Sequence, residues 1–329
     1  ASGAPTASRD MLVSTPDRHL VFFGTETTIG TKSTQDQMFI RFSSQEDITD
    51  YTPTANNTAG TQRLADGSRI MGALRGRNAI YVWTDTALFL MRFVGAPFTF
   101  AFEQVGTNCG LIGKNAAVEV DGTVYWMSEN GFFRYGGQLE SLPCLVEDFV
   151  FDDLNTITKQ HVNAGLNNLF GEINWFYVSS GANTVNRVVT YNYFDSTNER
   201  PVWTTGTLNR TAWSDSAIFG KPHATEYDTS TNGTAGSSTY VQGNTDGVSI
   251  YYEHEKGLNQ VKEGTESAIT ANIESGDFDI SLNNSGAADL RGDGEYMMRI
   301  SRVIPDFLSQ TGDATVTLQL RDFPTDVEA

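Results

Sequence analysis

The residue types that most often do chemistry are sparse in this sequence and poorly grouped. Four histidines occur, His19, His161, His223 and His254. None has a second His or Cys three to five residues away, the spacing that brings two ligands onto one metal ion. His254 stands between Glu253 and Glu255, but neighbours on a strand face opposite ways, so the triplet cannot converge and a solvated strand end is expected. Cys109 and Cys144 are too few for a disulfide framework and too far apart for a zinc site, so two buried thiols are expected. Gly106–Lys114 (GTNCGLIGK) approaches a phosphate-binding loop, yet its glycine spacing is wrong and Asn115 follows where Ser or Thr is needed. No Gly-x-Ser-x-Gly elbow occurs.

Carboxylates are the abundant groups: Asp152-Asp153, Asp277 with Asp279, and Asp289, Asp293 with Glu295. Two carboxylates across a cleft hydrolyse a glycoside, but the Ser-x-Asp-x-Gly turn repeats of sialidases are absent. Asp277 and Asp279 share one face of a strand, compatible with a calcium ion and, more simply, with an exposed charged face. The residues specify no catalytic, cofactor-binding or metal site, and the chain reads as an assembly component rather than an enzyme. Replacing His161, His223, Asp277 or Asp279 singly is expected to leave no catalytic defect. Asn56, Asn209, Asn232 and Asn283 begin Asn-x-Ser/Thr triplets, which carry no implication without a secretory signal.

The net charge of −18 over 329 residues is the strongest compositional signal, and it is uneven. Residues 1–110 carry 9 basic and 10 acidic side chains, whereas residues 111–329 carry 13 and 30. An acidic surface repels phosphate, which disfavours specific nucleic-acid binding through counterion release. The alternatives are a solvated surface and a surface that nucleic acid passes without sticking. Hydrophobic residues make up 39%, enough for a packed core. No run of about 18 apolar residues marks a membrane span, and Ala1–Asp10 lacks the basic and apolar regions of a signal peptide.

The elements that must position these residues read as strands. Arg18–Gly24, Gln37–Phe42, Ala79–Trp83, Leu88–Phe93, Phe98–Val105, Ala116–Val120, Thr123–Met127 and Phe132–Tyr135 are short runs rich in aromatic and β-branched residues. Ile173–Ser179, Arg187–Phe194, Val202–Thr205, Val248–His254, Ile269–Glu274, Tyr296–Ile304 and Thr315–Leu320 continue the series. Asp121-Gly122, Asn130-Gly131 and Asp246-Gly247 mark tight turns. Hairpins are expected over Ala79–Phe93 and Thr123–Tyr135, with a third joining Ile173–Val178 to Val188–Tyr193. Their recurrence every 40 to 50 residues predicts an all-β fold, a β-propeller-like body over 1–267 with a C-terminal strand module over 268–329; a series of β-sandwiches is the alternative. Val146–Thr156 fits a short helix or a plain loop equally well. Asp228–Ser238 and Asn283–Gly294 read as long polar surface loops. Trp126, Trp175, Trp203 and Trp213 are expected in the core rather than on a sugar-binding platform.

Residues 39–137 carry a distinctive order of motifs. Arg41-Phe42 closes a strand before the turn Ser43–Asp47; an apolar strand pair spans Ala79–Phe93; Gly106-Thr107-Asn108-Cys109-Gly110 forms a connection; and a hairpin ends in Gly131-Phe132-Phe133-Arg134-Tyr135. Asp17-Arg18-His19-Leu20 before a strand and Gly292–Glu295 before Met297–Asp306 add to the pattern. This order resembles the tail hub, or nozzle, proteins of short-tailed bacteriophages, the group that includes packaged-DNA stabilisation proteins. The resemblance implies a structural virion protein, assembled as a homo-oligomeric ring in the phage tail between the head-to-tail adaptor and other tail proteins. Genomic DNA would pass through its bore without base-specific contacts, and no catalytic residue or cofactor is implied. Proteins of that group are longer, which implies an incomplete ring of blades here. A host-glycan-binding or glycan-degrading propeller of the tail is the alternative function.

Overall fold

Short apolar runs separated by turn residues give strands that can pair only with their neighbours along the chain. The computed structural model describes residues 3–15, 17–77, 79–228, 248–257, 259–262, 265–269, 272–275, 299–306 and 313–319. The first sheet contains β1 (Asp10–Ser14), β2 (His19–Phe23), β3 (Phe39–Phe42) and β4 (Gly60–Arg63), in that order. The second contains β5 (Ile70–Arg75), β6 (Ile80–Thr84), β7 (Ala87–Gly95) and β8 (Thr99–Thr107). The third contains β9 (Ala117–Val120), β10 (Thr123–Ser128), β11 (Gly131–Tyr135) and β12 (Leu139–Leu142), and the fourth β13 (Asn163–Asn167), β14 (Glu172–Tyr177), β15 (Arg187–Asn192) and β16 (Val202–Gly206). A three-stranded sheet follows, β17 (Ala212–Ser214), β18 (His223–Asp228) and β19 (Val248–Glu253), then a strand pair, β20 (Asn259–Lys262) with β21 (Thr265–Ala268). The pairings from β1 to β19 are antiparallel within each sheet.

The expected hairpins are present. Trp83 pairs with Leu88 across β6 and β7, and Met127 with Phe132 across β10 and β11. Asp121 and Gly122 have φ of 49° and 86°, the two positive values that a tight hairpin turn with the right twist demands. Over Val146–Thr156 the chain forms α1 (Glu147–Asp153), whose two first-turn acids suit the positive end of the helix dipole.

Alternation along each strand decides how the sheets stack. In β6, Ile80 and Val82 join one core with Val21, Phe23, Ile40 and Phe42 of the first sheet. Tyr81 and Trp83, facing the other way, join a second core with Trp126 of the third sheet. The fourth sheet repeats the device: Ile173, Trp175 and Tyr177 face the core shared with the third sheet, and Phe176 and Val178 pack with Trp213. Sheets buried on both faces read as unbroken apolar runs, which is why IYVWT and INWFY are so conspicuous in the sequence. Among the first strands, β1 lies beside β5, β9 beside β13, and β13 beside β17.

Contacts divide the chain into two units, Ala1–Thr265 and Glu266–Ala329. The C-terminal strands expected over Ile269–Glu274, Tyr296–Ile304 and Thr315–Leu320 are not found among the described residues there, which are neither strand nor helix. Ile273, Ile304 and Val316 are exposed; strand-forming residues without a sheet neighbour to pack on have little to hold them extended. The loop residues expected at 229–238 and 283–294 lie outside the described residues.

Candidate functional site

The first strands of five successive sheets converge on one cleft. It has a volume of about 350 Å³ and is lined by Asp10 and Met11 of β1, Ala73 and Leu74 of β5, Ala117 of β9, Ala164 of β13 and Trp213 of β17, with Trp83, Lys114 and Asn115 between them. Close approach is built in by glycine. A Cβ on Gly72 would lie 2.9 Å from the Lys114 carbonyl oxygen, and one on Gly165 2.5 Å from the Trp213 ring. The backbone N–H of Ala164 donates to the Asn115 carbonyl at 2.7 Å, tying the third sheet to the fourth. Inside the cleft, Lys114 Nζ and Asp10 Oδ1 form an ion pair at 2.9 Å. Asp10 also accepts the N–H of Met11 at 2.8 Å and of Ala73 at 3.3 Å. The only cation and the only carboxylate lining the cleft thus neutralise each other. What the cleft offers is fastening between sheets rather than an unbalanced charge for a substrate.

The histidines are dispersed. His19 is fully buried, with Nδ1 2.9 Å from Asp17 Oδ2 and Nε2 3.1 Å from Thr58 Oγ1. This order of carboxylate, imidazole and hydroxyl resembles a nucleophilic triad, but Thr58 Oγ1 already accepts the Gln45 N–H at 2.8 Å. Edge-on Phe42 and Phe100 further enclose the His19 ring. The group fastens the turn after β3 to the start of β2. His161 is exposed at the end of a 3-10 turn, and His223 packs against Phe219 and Tyr251.

His254 corrects the expectation of a solvated strand end. It accepts a hydrogen bond from Arg210 Nε at 2.9 Å and lies 4.5 Å from the Trp213 ring. Burial, then the neighbouring Arg210 charge, pushes its pKa down to about 4. Arg210 stacks on Tyr252 at 4.0 Å and faces Glu226 at 3.6 Å, while the Tyr252 hydroxyl donates to Glu226 at 2.7 Å. The network was not visible in the sequence because its members come from three separated segments; only the buried environment of β18 and β19 assembles them. As alternation requires, Glu253 and Glu255 diverge from His254, the first pairing with Lys256 and the second approaching Asn167.

Cys109 is buried and Cys144 half-buried; burial pushes their thiols up to about 11 and about 12, so neither is a reactive thiolate at neutral pH. Asp152 is exposed, and Asp153 is engaged by Arg187 Nε at 3.3 Å and Tyr177 at 3.5 Å. Asp277, Asp279, Asp289, Asp293 and Glu295, with Asn232 and Asn283, lie outside the described residues. Trp126 and Trp175 are fully buried, whereas Trp203 and Trp213 are half-buried. Among the described residues no group of three or more His, Cys, Asp or Glu converges on one point, and no helix is long and apolar enough to cross a membrane. No protein-family model matches the chain, and no curated protein matches it.

Proposed function

We propose that the chain is a structural component of a phage tail, a hub or nozzle subunit that helps form the channel retaining and releasing genomic DNA. The observation that carries this reading is the work done by two of the motifs in the nozzle resemblance, Arg41 and the connection Gly106–Gly110, which have architectural tasks. Arg41 is buried and donates to the carbonyls of Tyr51 at 3.1 Å and Thr27 at 2.8 Å, clamping two loops onto the first sheet. In the connection Gly106–Gly110, a Cβ on Gly110 would meet the Asp85 carbonyl oxygen at 2.2 Å, and one on Gly106 the Leu139 side chain at 2.2 Å. The Cys109 carbonyl receives the Trp126 indole N–H at 2.8 Å. Residues so committed to packing suit a scaffold rather than a reaction.

The succession of meanders with adjoining first strands supports a propeller-like body, each sheet acting as a blade. Such a body offers loops and blade edges for subunit contacts, because its sheet faces are consumed internally. The charge of −18 favours a bore that repels phosphate, since clustered lysines would hold DNA in a salt-dependent grip. Native mass spectrometry of the purified chain tests the assembly: one discrete closed homo-oligomer is expected. A strict monomer at high concentration, alone and with the head-to-tail adaptor, would contradict the ring.

A further inference from the structure

The β7–β8 hairpin overshoots its sheet. Both strands have nine residues, but β6 pairs with β7 no further than Met91. Beyond that point β7 and β8 continue as a two-stranded arm, with Phe93 opposite Phe100 and Gly95 opposite Thr99. The root of the arm is fixed. Thr99 is buried and its hydroxyl donates to the Thr58 carbonyl at 3.2 Å, while buried Phe100 packs edge-on against Phe42 and Phe93. The tip, Phe93-Val94-Gly95-Ala96-Pro97-Phe98, is bare. Val94 is 53% exposed and Phe98 77%. None of the side chains from Phe93 to Phe98 can donate or accept a hydrogen bond. The charges that flank the tip along the strands, Arg92 and Glu103, pair with each other at 3.0 Å.

A rigid apolar knob held in water is unfavourable and marks a contact surface. The cleft where the first strands converge has the matching character. Its volume is about 350 Å³, its largest lining side chains are Met11, Leu74, Trp83 and Trp213, and Lys114 and Asp10 are already paired with each other. Such a cleft demands no charge from its occupant, and the tip brings none. The two are not joined within one copy, since Phe98 is exposed and Met11, lining the cleft, is 62% exposed. A knob and a socket on different parts of one surface make a heterologous contact, which repeats from copy to copy and closes into a ring when the rotation allows. We propose that the hairpin tip Val94–Phe98 of one copy docks in the first-strand cleft of a second copy, with Phe98 as the knob. The inference rests on the homo-oligomer of the tail reading and names the surfaces that join its subunits.

Two variants of the full chain, one for the knob and one for the socket, provide the test. Phe98→Asp and Met11→Glu each place a charge on an exposed residue, so both should keep the fold by circular dichroism. Each alone is expected to be a monomer in native mass spectrometry, its self-association weakened at least a hundredfold. Mixed, they should form a one-to-one heterodimer, because the Met11→Glu copy keeps its knob and the Phe98→Asp copy keeps its socket. A mixture that stays monomeric would overturn the docking. Wild-type oligomers that persist unchanged in Phe98→Asp would overturn it too, while leaving the ring standing. Open chains of copies that Phe98→Asp abolishes would support the docking and sink the ring. Flotation of the wild type, but not of Phe98→Asp, with phosphatidylcholine vesicles at unchanged oligomeric state would assign the tip to a lipid surface and overturn the socket.

Discussion

Arg210 donates to His254 Nε2, so that nitrogen must be unprotonated in the folded chain. The pKa of His254 is about 4 when folded, against an ordinary value of 6.5. Between these values the unfolded chain binds a proton that the folded chain refuses, so stability rises with pH through the interval. The His254 contribution is therefore complete above about pH 6.5 and lost progressively as pH falls towards 4. Urea unfolding across this range should show a steeper acid decline for the wild type than for His254→Gln; parallel curves would remove His254 from the account. Gly110 is a second residue with a single permissible identity. Its missing Cβ leaves room for the Asp85 carbonyl, a backbone atom that cannot rotate away. Gly110→Ala is expected to cost about 2 kcal/mol or more, at the upper end of overpacking penalties, read as a lower urea midpoint at unchanged slope.

At the scale of elements, tryptophan indoles fasten sheets to their neighbours. Trp126 donates to the Cys109 carbonyl in the connection from the second sheet, Trp175 to Ala116, and Trp213 to Leu166 of the fourth sheet. Trp83 is equally buried, but its N–H has no partner. Trp126→Phe and Trp83→Phe remove similar volume, yet only the first strands an acceptor. We expect Trp126→Phe to cost about 1 kcal/mol more than Trp83→Phe, measured by thermal or urea unfolding; equal losses would mean the indole bonds contribute nothing net. The same burial explains what the sequence disclosed. β6, β7, β10 and β14 were legible because both their faces are buried. β4 (GTQR), β12 (LESL) and β17 (AWS) were not, because they lie at sheet edges and are largely polar or very short. β1 escaped notice because its apolar residues Met11 and Val13 are exposed and Asp10 opens it with a charge. Asp17 and His19 meet locally across the turn that opens β2, whereas Glu172, Glu255 and Asn167 meet only through the sheet junction.

At the scale of the whole molecule, charge is the property that bears most directly on the proposed channel. Forty acidic residues against 22 basic ones leave no cationic surplus with which to release counterions from a duplex. Gel-shift titration at physiological ionic strength should show negligible binding to duplex DNA, and lowering the salt should not create a strong complex. Tight binding that weakens steeply with salt would refute the repulsive bore. The most direct measurement of the central claim is a symmetry-resolved reconstruction that locates this chain in or outside a phage particle. The account predicts a closed ring of copies around the axial channel of a short tail, next to the head-to-tail adaptor, with carboxylates lining the bore. Density on a peripheral fibre, or a particle that lacks the chain altogether, would contradict it.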